Sequence, residues 1–109
     1  MEHFLSMNIK LSYLYRDGAN YKNFNDVIFL NPSNLSLLAI EALIKEKLID
    51  GAWFVANDWD LPDLHFKEYP WDFEIDHGWH EFEGVEETLE IVTDNKNIND
   101  FLLCIRPKN

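Results

Sequence analysis

The chain has 109 residues, with 9 Lys and Arg against 20 Asp and Glu and a formal net charge of −11. That length fits a single domain, 1–109, and 47% hydrophobic with 15% aromatic residues is too apolar for a disordered chain. The acidity excludes a basic nucleic-acid-binding surface, and no run approaches the ~18 apolar residues of a membrane span.

Residues 9–16 alternate as a half-buried strand, with Ile9, Leu11, Tyr13 and Tyr15 on one face and Lys10, Ser12 and Arg16 on the other. Asp17-Gly18 signals a turn. A second strand is expected over 26–30, after a connection of about ten residues. Val27-Ile28-Phe29-Leu30 is apolar on both faces and predicts a central position. Asn31-Pro32-Ser33-Asn34 stops that strand.

Ser36 or Asn34 is the expected N-cap of a helix. Leu37, Ile40, Leu43, Ile44 and Leu48 recur on it at helical spacing, with Glu41, Lys45, Glu46 and Lys47 opposite. Asp50-Gly51 is its expected end. Residues 52–56 read as a third, central strand. Residues 57–78 hold no period and contain Pro62, Pro70 and Gly78; so long a loop in a compact domain points to function. Residues 79–85 and 88–93 alternate as two further strands. Ile98, Phe101, Leu102 and Ile105 mark a short helix capped by Asn97 or Asn99 and ended before Pro107. The expected fold is α+β: an antiparallel sheet of four to five strands, one main helix packed on a face, and a short C-terminal helix.

Cys104 is the one cysteine and lies in the apolar run 101–105, so a buried, inert thiol is expected. Residues 1–15 lack the zones of a secretory signal, and a cytoplasmic protein is expected.

The charge is not spread evenly. Residues 57–90 hold twelve of the acids and one base, Lys67, and so carry the whole net charge; the remaining residues balance. The same stretch contains Trp59, Phe66, Tyr69, Trp71, Phe73, Trp79 and Phe82. Solvating acidic tails are poor in aromatic rings, so this segment is expected to fold or to dock on the body of the protein.

Its densest chemistry is Asp76-His77-Gly78-Trp79-His80-Glu81-Phe82-Glu83. His77 and His80, with His65 and Asp76, could ligate a divalent transition metal. Gly78 and the strand-like continuation argue against the helix that would put both histidines on one face. The competing use is imidazoles bonded to loop carbonyls among acids. Asp72, Glu74, Asp76 and Glu83 fall at offsets 1, 3, 5 and 12 of a calcium loop, but the glycine is misplaced and no helices flank it. Asp58, Asp60 and Asp63 are similarly spaced, with Pro62 between them. No nucleophile motif or phosphate-binding glycine loop is present, and an enzyme is not expected. Tyr13, Tyr15, Tyr21 and Phe24 beside Arg16 and Lys22 are expected to pack the hairpin, since the field of the protein opposes a nucleic-acid platform.

Several segments together resemble a family of small hypothetical bacterial proteins. They are Tyr13-Leu14-Tyr15-Arg16-Asp17-Gly18-Ala19-Asn20-Tyr21-Lys22-Asn23, Leu48-Ile49-Asp50-Gly51, Pro62-Asp63-Leu64-His65-Phe66 and Asp76-His77-Gly78-Trp79-His80-Glu81-Phe82. The likeness covers most of 7–88. It implies a compact bacterial cytoplasmic domain and carries no catalytic residue.

The leading expectation is a small acidic protein that occupies a basic surface on a macromolecular partner, such as a nuclease or toxin. Immunity proteins, antitoxins and phage anti-defence inhibitors work on this physical logic. Trp59, Trp71 and Trp79 are the candidate anchors, with core filling as their competing use, and Asp58, Asp60, Asp72, Glu74 and Glu83 the steering charges. The alternative is a metal-binding module or metal-dependent hydrolase on His65, Asp76, His77 and His80. Outside that cluster no cofactor is expected.

Overall fold

A computed structural model describes residues 7–66 and 79–105. It is α+β, a four-stranded antiparallel sheet with two helices. In chain order these are β1 (Asn8–Arg16), β2 (Lys22–Phe29), α1 (Leu37–Lys45), β3 (Trp53–Val55), a 3-10 turn (Ala56–Trp59), β4 (Trp79–Thr88) and α2 (Ile98–Cys104). The strands lie in the order β2-β1-β4-β3.

β1 is an interior strand, and its alternation shows as the half-buried pattern expected. Ile9, Leu11, Tyr13 and Tyr15 are buried on the face that receives both helices, and Lys10, Ser12 and Arg16 sit on the other. The turn to β2 is tighter than expected. Asp17 N–H donates to the Tyr21 carbonyl at 3.0 Å, while Asp17 Oδ1 accepts from the Ala19 and Tyr21 N–H groups. Asn20 supplies the left-handed residue, at φ 69°. β2 therefore begins at Lys22, four residues earlier than the apolar run indicates.

Neither apolar run is central: β2 and β3 are the two edges, and β4 is the second interior strand. Val27 and Phe29 are apolar because α1 and α2 cover their face, and Phe54 because the 3-10 turn folds back over β3. Residues 79–88 make one strand, and 89–97 run as coil. Within β4, Ser12 pairs with Gly84 and Tyr13 with Phe82, so Glu83 is an extra residue bulged out of the ladder.

Helix α1 starts where Ser36 caps it, its hydroxyl accepting from Ala39 N–H at 3.1 Å. It ends at Lys45 rather than at Asp50-Gly51. Those two residues, at φ 50° and 73°, instead turn the chain into β3, where Ile49 bridges Trp53. Ile40 and Ile44 are its buried stripe, and Leu43 is exposed. Asn97 caps α2, accepting from Asp100 N–H at 2.9 Å. Ile98, Phe101 and Ile105 face the core, which turns Cys104 outward: the thiol is exposed, contrary to its apolar neighbourhood.

The core is aromatic at its centre. Trp59 is 1% exposed, stacks on Phe54 at 4.4 Å and meets Phe101 edge-on at 6.2 Å. Truncating it removes the layer between β3 and α2. Trp59→Ala is expected to lower the unfolding free energy by roughly 3–5 kcal/mol, read from urea denaturation midpoints.

Candidate functional site

The aromatic core continues into the segment that carries the charge. After the 3-10 turn, residues 61–66 cross the inner face of the sheet without regular structure, so side chains must satisfy their backbone groups. Tyr13 donates its hydroxyl proton to the Pro62 carbonyl at 2.7 Å, and Asn23 donates to the Leu64 carbonyl at 2.9 Å. Leu64 N–H donates to Nε2 of His80 at 3.0 Å.

His80 is 1% exposed, packed among the rings of Tyr13, Tyr15 and Phe54. Accepting a backbone N–H requires the Nε2 lone pair, so its 3.4 Å approach to Asp63 is not an ion pair. The lone pair is unavailable to a metal. His65 is half-buried and donates from Nδ1 to Asp63 Oδ2 at 2.8 Å. The two histidines thus act as loop anchors, His65 through Asp63 and His80 through Leu64. His77 and Asp76 lie outside the described residues. Among the described residues no three His, Cys, Asp or Glu side chains form a metal cluster. His80 is thereby withdrawn from the expected ligand set.

Burial pushes the Asp63 carboxyl up. The His65 N–H and imidazole outweigh that and hold it below its ordinary value of 3.8.

The expected binding residues divide. Trp59 is core, which corrects its reading as an anchor: its ring closes the inner layer and cannot reach a partner. Asp58 is exposed, on the 3-10 turn. Asp60 is exposed too but shares the Lys96 ammonium with Asp94, at 2.9 and 3.0 Å, beside a surface hollow of about 500 Å³. Burial pulls the Lys96 ammonium down, but the two carboxylates outweigh it and hold the lysine above its ordinary value. Trp79 is 40% exposed at the start of β4, its ring 5.8 Å from that of Trp53. Trp71, Asp72 and Glu74 lie outside the described residues, as do three of the four calcium-loop positions.

β4 carries the charge that remains. Arg16 pairs with Glu81 at 2.7 Å, and Lys10 pairs with both Glu86 and Glu90. Glu83 and Glu87 are exposed with no cation among the described residues. Glu83 is the bulged residue, so it stands out of the ladder. Each of these carboxylates can attract a cationic group without first breaking an internal pair. Trp53 and Glu87 were not singled out by sequence; Trp53 is the non-core neighbour of Phe54 on β3, and strand alternation is the signal that points to it.

No family model, curated protein or solved structure matches the chain. The resemblance carried by residues 13–23 and 76–82 therefore assigns no role to any side chain.

Two outcomes follow from the loop anchors. His80→Leu leaves the buried Leu64 N–H without an acceptor and is expected to cost roughly 1–3 kcal/mol in urea unfolding. Because the folded Asp63 pKa lies below 3.8, its contribution is complete above that value and drains away as pH falls through the folded value. Asp63→Asn should lose less stability than the parent chain between about pH 5 and about pH 2, in the same assay.

Proposed function

We propose that this is a small acidic inhibitor that occupies a basic surface of a macromolecular partner in the cytoplasm. The nuclease or toxin targets of immunity proteins, antitoxins and anti-defence inhibitors have such surfaces. The observation that carries the reading is the unneutralised half of β4. Glu83 and Glu87 are exposed while Lys10 and Arg16, the cations of the adjacent strand, are already committed to Glu81, Glu86 and Glu90. Asp58 adds a further exposed charge beyond β3.

Charges of this kind accelerate encounter more than they deepen affinity. Affinity needs an apolar anchor, and tryptophan is among the commonest. Trp79, backed by Trp53, supplies an exposed ring at the end of β4 nearest Asp58. A groove of lysines and arginines built to hold phosphates presents the complementary pattern, and carboxylates held on a sheet compete for it.

The test is association with the nuclease or toxin encoded beside its gene, followed by stopped flow. The association rate should fall at least about tenfold as ionic strength rises from about 0.01 M to about 0.15 M. Glu83→Lys combined with Glu87→Lys should slow association, and Trp79→Ala should mainly speed dissociation. Association indifferent to salt, or capture of neutral and acidic partners alone, would overturn the proposal.

A further inference from the structure

The strand order leaves two edges, and they differ. At β3 the Trp53 N–H and C=O both bond Ile49, at 3.0 and 2.7 Å, which covers that short edge at Trp53. On β2 the backbone groups alternate: those of Asn23, Asn25, Val27 and Phe29 turn to β1, and those of Lys22, Phe24, Asp26 and Ile28 turn away. The Ile28 pair is taken, because its N–H donates to Thr93 Oγ1 at 2.9 Å and its carbonyl accepts from the Thr93 and Asp94 N–H groups. Among the described residues nothing bonds the outward groups of Lys22, Phe24 and Asp26. The open edge is thus bounded by the hairpin turn and by Thr93, and its centre is Phe24.

The side chains of these three residues share the sheet face away from the helices. Phe24 is 59% exposed. Lys22 is exposed and has no ion-pair partner among the described residues; Asp26 is exposed and accepts only from the Ser12 hydroxyl, at 2.7 Å. An edge lysine ordinarily discourages strand addition. An Asp four residues along changes that, because antiparallel self-pairing about Phe24 sets every Lys22 opposite an Asp26.

We propose that β2 is a self-association edge, to which a second copy of this chain adds its own β2 antiparallel about a two-fold axis at Phe24. In that register the two Phe24 residues stand opposite each other, and the N–H of each donates to the C=O of the other. Lys22 of each copy pairs with Asp26 of the other, and Asn23 with Asn25 on the opposite face. The occupant is a second copy because its charge sequence is the complement of this one when reversed. The paired segment is short, well below the ~1,200 Å² of the smaller stable interfaces, so the dimer forms at high protein concentration.

Sedimentation equilibrium of the full chain, at about 0.15 M salt to screen its net charge, tests this. The parent chain should dimerise with Kd below about 1 mM. Lys22→Glu should weaken the dimer at least about tenfold, by setting like charges opposite each other. Lys22→Glu combined with Asp26→Lys should restore it, since the pairs are re-formed with reversed sign. Lys47→Glu changes the net charge equally but away from the edge, and should leave it unchanged. Circular dichroism checks that each variant is folded. A parent chain that stays monomeric, a dimer indifferent to Lys22→Glu, or a charge swap that fails to restore it would each overturn the proposal.

Discussion

The hydrogen bond from Leu64 N–H to the His80 imidazole ties the irregular segment 61–66 to the sheet. A chain crossing an aromatic core outside helix or sheet exposes its amides to a medium with no water to bond them. Here β1, β2 and β4 each lend a side chain: Tyr13 to Pro62, Asn23 to Leu64 and His80 to Leu64. These three bonds hold Leu61 and Leu64 over the core. A histidine suits the position because one ring supplies both an acceptor and an aromatic face against Tyr15 and Phe54.

The same economy governs the charges. Lys10, Arg16 and Lys96 each hold carboxylates from distant parts of the chain, joining β1 to β4 and the 3-10 turn to the coil before α2. With these cations used for cohesion, Glu83 and Glu87 have no cation partner among the described residues. Net charge of this size keeps a protein soluble while working against compactness. A basic partner of the kind proposed would relieve that self-repulsion on binding, so a surface that works against the free protein's compactness would favour the complex.

Much of the fold was legible in the sequence because it follows from local rules. The period-two pattern of β1, the Ser36 and Asn97 caps and the apolar stripe of α2 all rest on neighbours a few residues away. What misled was information held elsewhere in the chain. Val27-Ile28-Phe29 and Trp53-Phe54-Val55 look central, yet their apolar faces are covered by helices and by Trp59, so an edge strand carries an interior composition. Cys104 shares an apolar run but falls on the solvent side of a seven-residue helix. Of the site, Glu83, Asp58 and Trp79 are exposed, whereas Trp59 and His80 belong to the core. The alternation Trp79, His80, Glu81, Phe82 already puts His80 on the face of Phe82, a strand pattern that outweighs the local density of ligand-type residues.

The contact between Ile49 and Trp53 has a consequence for how the molecule behaves in a crowd. A sheet open at both sides can recruit copies without end, and the product is a filament. With β3 three residues long and covered at Trp53, β2 is the longer open edge for the strand addition proposed above. Growth by that route would then favour a pair of molecules over a filament.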